Sequence, residues 1–208
     1  MPSKEPVIRT RGERGPAEHE RRRQILEAAH EHFRQYGFGK TSVADLAGAI
    51  GVTPAYVYRF FDSKRAIGEA ICAETLGIII ARLNAMAAEP ISASEKLQRF
   101  YGIVLEGGCD LLLHERKMHD LVLNAVTQHW DSVAGYRAAQ VELLRGIVAQ
   151  GRASGEFETE TELQDIVRGL AQSVVPFAHP LLLEDRDIAE LRSGAAIAAR
   201  MALRSLRR

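Results

Sequence analysis

The sequence is poor in the features that define several protein classes. Its 208 residues include only two cysteines, Cys72 and Cys109, which are too few for a disulfide framework or for a structural zinc site. Its apolar runs, such as residues 76–81, are far shorter than the roughly 18 residues that span a bilayer. Residues 1–16 contain no apolar segment typical of a secretory signal. We therefore expect a cytoplasmic protein without a membrane segment.

Motifs of catalysis are also absent. The chain has no Gly-x-Ser-x-Gly elbow, no glycine-rich phosphate loop and no His-Glu-x-x-His motif. Four histidines of the C-terminal part are candidates for a metal sensor, but His114 and His119 are five positions apart and do not share a helix face. We predict no enzyme, no cofactor and no metal site, and metal sensing is kept as an alternative. The four are His114, His119, His129 and His179.

The whole chain has no net charge, but its N-terminal and C-terminal parts carry net charges of opposite sign. Lys and Arg number 27, as do Asp and Glu, so the net charge is zero. Residues 1–64 contain 11 basic and 8 acidic residues, a net charge of +3, and residues 65–208 contain 16 and 19, a net charge of −3. A basic N-terminal part is typical of a DNA-binding protein. Residues 1–20 have little to bury, which predicts a disordered basic arm.

Apolar residues recur at helical spacing over most of the chain. The seven prolines leave residues 55–89 and 91–175 free for helices. Apolar stripes occupy residues 25–36, 67–86, 133–148 and 163–174, and the last is expected to stop at Pro176 and Pro180. Strict alternation typical of strands is not found. The sequence therefore predicts an all-α protein.

Residues 41–64 have the pattern of a helix-turn-helix. Ser42 followed by Asp45 predicts a capped helix start, and Gly51 supplies a turn. Thr53 and Pro54 then cap and open a second short helix. In such a unit the second helix enters the DNA major groove and the first crosses the backbone.

Spacing on the second helix separates its buried face from its exposed face. Val57 and Phe61 are four positions apart and are expected to face the core. The remaining side chains can contact thymine methyl groups, guanine edges or phosphates. The predicted DNA contacts are Arg23, Thr41, Ser42, Thr53, Pro54, Ala55, Tyr56, Tyr58, Arg59 and Lys64.

Residues 21–71 resemble the DNA-binding domain of TetR-type transcriptional repressors. The resemblance rests on the stripe from Ile25 to Gly37, on Thr41 to Thr53, and on Val57, Tyr58, Phe61, Lys64 and Ile67 at the family's spacing. It implies a homodimer with a three-helix head, residues 21–66, and a larger helical ligand-binding and dimerisation domain, residues 67–208. Ala55, Tyr56, Phe60 and Arg65 depart from the family's common residues, so no operator sequence can be carried over.

The family resemblance implies an effector pocket in the second domain. We expect a bend at Gly107–Gly108 to open it, because glycine pairs weaken a helix. The apolar candidates favour a hydrophobic or aromatic effector, although each residue alone is more often core. The predicted lining residues are Phe100, Tyr101, Val104, Cys109, Leu112, Leu121, Asn124, Ala125, Gln128, Trp130, Tyr136 and Phe177.

The last two long helices are expected to form a four-helix dimer interface. Their stripes contain small residues three and four positions apart, which allow close helix packing. The predicted interface residues are Leu163, Val167, Leu170, Val174, Leu191, Ala195, Ala198, Ala199 and Ala202.

The leading hypothesis is a repressor that a small effector releases from a palindromic operator of double-stranded DNA. The alternatives are an enzyme and a helical adaptor that binds other proteins. Neither alternative explains Arg59 and Lys64 around a capped recognition helix.

Overall fold

A computed structural model of the protein describes residues 16–207, with side-chain environments from residue 18 onward. All regular structure in this range is helical, without strands, and the all-α prediction is confirmed. No helix between residues 16 and 207 combines the length and apolar character needed to cross a membrane. The helices are α1 (Pro16–Tyr36), α2 (Val43–Ala49), α3 (Pro54–Val57), α4 (Lys64–Ala88), α5 (Ala93–His114), α6 (Arg116–Thr127), α7 (Asp131–Ala153), α8 (Leu163–Ala178), α9 (Pro180–Glu184) and α10 (Ile188–Leu206).

Local sequence chemistry determines where several helices begin and end. The hydroxyls of Ser63 and Ser92 accept hydrogen bonds from the third residue of α4 and of α5, and the Asp187 carboxylate does the same for α10. Gly37 and Gly155 follow α1 and α7 with φ of 86° and 76°, a conformation that favours glycine.

Two expected boundaries are wrong. α1 begins at Pro16, so residues 16–20 are helical and do not belong to an extended arm; residues 1–15 lie outside the described range. α8 continues through Pro176 to Ala178. Proline removes only one backbone hydrogen bond there, close to the helix end, and Pro180 then opens α9 at a position where a missing N–H is tolerated.

The body of the protein is built around α4 and α5. α4 packs against α5 and α7, α10 packs along α5, and α8 lies against α5, α7 and α10. α1 contacts α4 and α6. The expected domain boundary at residues 66 and 67 falls in the first turn of α4, so one continuous helix belongs to both the head and the body.

The glycine pair in α5 allows close packing, and the expected bend is wrong. α5 is continuous through Gly107 and Gly108. A Cβ atom on Gly107 would lie 2.7 Å from Ile79 Cδ1, and one on Gly108 would lie 2.6 Å from Leu183 Cδ1. The two glycines therefore make room for α4 and α9.

Candidate functional site

The first component of the site is the turn between α2 and α3. Ser42 Oγ accepts a hydrogen bond from Asp45 N at 3.1 Å, and Asp45 Oδ2 accepts one from Ser42 N at 2.7 Å. This reciprocal pair is the capping box that the sequence predicts. Gly51 turns the chain with φ of 68°, and Thr53 Oγ1 accepts a hydrogen bond from Tyr56 N at 3.3 Å to open α3.

Buried side chains fix the orientation of α3. Val57 is fully buried and Phe61 is 3% exposed, so the prediction that both face the core is confirmed. The Arg22 guanidinium lies 4.0 Å from the Phe61 ring centroid and donates a hydrogen bond to Phe60 O at 3.1 Å. The core of the head and α1 therefore hold the opposite face of α3 toward solvent.

The outer face of α3 presents small groups, phenols and one cation. Thr53, Pro54 and Ala55 are exposed, and Tyr58 is half-exposed. The Arg59 guanidinium lies 5.5 Å from the Tyr56 ring, which itself packs against Phe60. Such a surface can make apolar contacts with thymine methyl groups and donate hydrogen bonds to bases and phosphates.

The remaining predicted DNA contacts differ in their environment. Thr41 is buried and donates a hydrogen bond to Gly37 O at 3.0 Å, so its prediction as a DNA contact is wrong: it stabilises the end of α1. Ser42 is exposed, and exposed Arg23 is ion-paired with Glu20 and Glu27 on its own helix. The Lys64 ammonium lies 4.4 Å from the Phe38 ring, and partial burial lowers the pKa of Lys64 while Asp45 opposes the shift.

An aromatic junction joins the head to the body, and no local sequence pattern indicates it. The Phe38 ring meets the Trp130 ring edge-on at 5.4 Å between centroids. Both rings cover Gly68 in α4, where a Cβ atom would lie 2.7 Å from Phe38 Cε2 and 2.9 Å from Trp130 Cη2. Trp130 precedes α7 directly, so these contacts connect the start of α7 with the head.

The second component is a cavity of about 390 Å³ among α4, α5, α6, α7 and α8, which we call the α4–α8 cavity. Its volume and apolar walls are typical of small-molecule sites. Two other depressions, which are more open to solvent than this cavity, lie around Lys96 and around Lys117. The cavity is lined by Leu76, Phe100, Val122, Val126, Val133, Tyr136, Arg137, Gln140, Val141, Leu144, Ala171, Gln172, Val174, Val175, Ala178, His179 and Pro180.

Only Phe100 and Tyr136 of the predicted lining residues reach this cavity. Val104 contacts a separate void of about 20 Å³. Tyr101 is buried with its hydroxyl 2.5 Å from Ser173 Oγ, and Trp130 belongs to the junction. The other predicted residues lie outside the wall of this cavity, because an apolar stripe does not distinguish a core face from a cavity face. Besides Tyr101, Val104 and Trp130, the predicted lining residues outside the cavity wall are Cys109, Leu112, Leu121, Asn124, Ala125, Gln128 and Phe177.

The cavity wall also has polar members that the sequence analysis missed. Val133, Tyr136, Arg137, Gln140 and Leu144 follow one face of α7 at helical spacing, and this periodicity was the available indication. Burial strongly raises the pKa of the Tyr136 hydroxyl, so this phenol is neutral.

Six of the nine predicted dimer residues are buried within the single chain, so their prediction as interface residues is wrong. The apolar stripes of α8 and α10 pack on α5 and α7. Leu163, Ala198 and Ala202 are only partly exposed. The six buried residues are Val167, Leu170, Val174, Leu191, Ala195 and Ala199.

The last three helices also carry five large apolar side chains that are exposed. We call this set the α8–α10 patch. Its members are Val175, Leu181, Leu182, Ile197 and Met201.

The histidines do not converge. His119 is buried and its Nε2 lies 3.0 Å from Glu184 Oε1, and His129 Nδ1 lies 3.0 Å from Val126 O. Burial lowers the pKa of His119, while the hydrogen bond to Glu184 opposes the shift. Within residues 16–207, no group of three His, Cys, Asp or Glu side chains is arranged to hold a metal ion.

Comparison with known proteins agrees with the two-part architecture. The family model of bacterial regulatory proteins, tetR family, matches residues 25–71. The model of the tetracyclin repressor-like C-terminal domain matches residues 93–196, which is half of the chain.

Individual relatives and solved structures share only a small part of their sequence with this chain. The HTH-type transcriptional regulator RutR of Escherichia coli K12 is 31% identical over 95 residues, and the match spans just under half of each chain, 45%. The structure of FadR from Bacillus subtilis in complex with stearoyl-CoA has a TM-score of 0.61 at 19% identity, covering 88% of this chain and 98% of FadR.

SmeT, the repressor of the Stenotrophomonas maltophilia efflux pump SmeDEF, superposes with a TM-score of 0.65 at 16% identity over 90% of each chain. These structural likenesses concern the fold. The two family matches, over residues 25–71 and 93–196, agree with the capped α2–turn–α3 unit and establish that this chain belongs to the TetR family of transcriptional regulators.

Proposed function

We propose that the protein is a homodimeric repressor that leaves a palindromic operator when a small hydrophobic or aromatic effector fills the α4–α8 cavity. The observation that carries the proposal is the outward face of α3, where Ala55, Tyr58 and Arg59 are exposed above the buried Val57 and Phe61. A rigid helix that presents a cation and phenols over a packed base suits major-groove recognition.

Contacts at both ends of α6 support communication between the cavity and the head. Val122 and Val126 of α6 line the cavity. The start of α6 packs against the head, with Lys117 Cδ 3.4 Å from the position of a Cβ atom on Gly37. An effector that binds better when α6 is displaced therefore favours a head position with lower DNA affinity.

The cavity wall supports an apolar effector. Most of its side chains are aliphatic or aromatic, and Leu144 and Val174 are buried against the core. FadR, which shares the fold, is known with stearoyl-CoA, a ligand with a long apolar chain. A hydrophobic or aromatic small molecule is the class that such a wall favours.

The α8–α10 patch supports the dimer. Five of the nine large apolar side chains that are exposed within residues 18–207 belong to it. Exposed apolar patches mark interaction surfaces, and a two-fold axis would place two α3 helices one DNA turn apart, about 34–36 Å.

The experiment is a band-shift titration of the wild-type protein with DNA from upstream of its own gene. We expect a specific complex on a palindromic site. Tyr58→Phe and Lys64→Ala should each weaken it, and Lys64→Ala should also lower the salt dependence by about one unit of slope. Arg145→Ala, on α7 far along the chain from the head, is the control. Unchanged affinity in both head variants would contradict the assignment of the DNA surface.

A further inference from the structure

In the part of the chain that the structure describes, the polar side chains of the α4–α8 cavity can all donate hydrogen bonds, and none of them is acidic. Besides the neutral Tyr136 phenol, the described residues of its wall include Arg137, Gln140, Gln172 and His179, and none of them is Asp or Glu. A purely apolar effector would leave this group of donors without a function. The composition instead favours a ligand that carries hydrogen-bond acceptors and negative charge.

Arg137 is a cation at the edge of the cavity without a carboxylate partner. Its side chain is exposed to solvent, and within the described range it makes no ion pair or hydrogen bond. Burial and the nearby charge of Arg137 both lower the pKa of His179. Both groups line the same cavity, so an anionic group bound there can lie near the Arg137 guanidinium and the neutral His179 ring.

Two buried nitrogen atoms of the same wall have no partner. Gln140 is 9% exposed, and neither its Nε2 atom nor His179 Nδ1 forms a hydrogen bond within the described range. Buried polar groups are normally paired, because an unpaired donor loses its hydration without compensation. Gln140 lies one helical turn after Arg137, so both can act on one ligand group.

We infer that the effector is an amphipathic small molecule: its apolar body contacts Phe100, Val122 and Leu144, and a single anionic, oxygen-bearing group binds Arg137, Gln140 and His179. This inference rests on the proposed function of the cavity as the effector site. It adds a requirement that an apolar wall alone does not impose, namely one anionic group at the α7 and α8 side.

The test uses two fluorescent probes with the same apolar body. Anilinonaphthalene sulfonate carries an anionic group, and phenylnaphthylamine lacks it; both increase in fluorescence in apolar sites. Titrations of the full-length protein should show that Arg137→Gln lowers the affinity for the sulfonate about tenfold. The same variant should leave the affinity for phenylnaphthylamine unchanged, and Arg145→Gln on the same helix should change neither affinity.

Gln140→Leu provides a second, independent readout. Because it removes an unpaired amide from the core, its melting temperature should equal or exceed that of the wild type, while its affinity for the sulfonate falls. If Gln140 had only a structural role, Gln140→Leu would lower the melting temperature and would leave the preference for the sulfonate over phenylnaphthylamine unchanged. That result would contradict its role in binding the anion.

Ala171→Phe, which fills the cavity from α8, separates failure of the inference from failure of the proposed function. If Ala171→Phe prevents binding of both probes but Arg137→Gln affects them equally or not at all, the anionic subsite is wrong and the cavity stands. If neither probe binds, or if Ala171→Phe leaves binding unchanged, the cavity is not the effector site. The anionic subsite and the proposed role of the cavity as the effector site are then both wrong.

Discussion

At the scale of single residues, one carboxylate joins two distant parts of the body. Glu156, in the loop after α7, accepts hydrogen bonds from Ala93 N at 3.0 Å and Ser94 N at 2.9 Å, and from Ser154 Oγ. It therefore binds the free N–H groups at the start of α5, where a negative charge also interacts well with the helix dipole. These hydrogen bonds lower the pKa of Glu156 from 4.5 to about 2.

Glu156→Gln should reduce the free energy of unfolding at neutral pH by about 1 kcal/mol, a typical value for a helix cap. The pKa is lower in the folded state, so the carboxylate stabilises the fold above pH 4.5, and this contribution is lost as the pH falls from 4.5 toward about 2. Denaturant unfolding at neutral pH and within that window measures both effects.

The control for this prediction is Glu160→Gln. The Glu160 side chain is exposed in the same loop and makes none of these contacts. Equal stability of Glu156→Gln and Glu160→Gln at neutral pH would show that the cap contributes nothing measurable.

At the scale of helices, the sequence predicts what local chemistry determines. The caps at Ser42, Thr53 and Ser92 and the glycine after α1 were predictable, because each depends on residues within one turn. The buried face of α3 was predictable from the spacing of Val57 and Phe61.

Contacts between distant residues were not predictable in the same way. Nothing local shows that Trp130 packs on Phe38, and nothing local shows which apolar stripe faces the cavity. The stripes of α8 and α10 would look the same whether they packed on their own chain or on a second copy. The error at the dimer interface has this origin.

The junction between Phe38, Trp130 and α4 gives a prediction at this scale. Gly68→Ala should lower the free energy of unfolding by about 1–3 kcal/mol, because its Cβ atom would overlap both rings. It should also change DNA affinity by displacing the head. Chemical denaturation and fluorescence anisotropy with labelled DNA measure the two effects.

Gly77→Ala is the matched control in the same helix, since nothing lies within 4 Å of the Cβ position at Gly77. It should stabilise the protein by up to about 1 kcal/mol through helix propensity. If both variants behaved alike, the close packing at Gly68 would not be the connection between head and body.

At the scale of the whole molecule, the proposed repressor requires two copies joined through the α8–α10 patch. Met201 is 66% exposed on α10, and Ile78 is 64% exposed on α4, so the two positions are matched in exposure and apolar character. Met201→Glu should raise the dimer dissociation constant about tenfold or more by placing charges in the interface. Ile78→Glu should leave it unchanged.

Sedimentation of both variants decides this point. A dimer that tolerates Met201→Glu, or that dissociates equally in both variants, would place the interface on another surface. Thermal unfolding of each variant would show that the chains remain folded, as expected for substitutions at exposed positions.

The proposed DNA surface is tested most directly by anisotropy titration of the upstream DNA with wild type, Arg59→Ala and Arg145→Ala. Arg59 is exposed on the outer face after α3, while Arg145 pairs with Glu142 on α7. We predict that Arg59→Ala lowers the affinity about tenfold or more, because a good contact to a base contributes about 1–3 kcal/mol. Arg145→Ala should bind like the wild type. Equal affinity of all three proteins would contradict DNA recognition through α3.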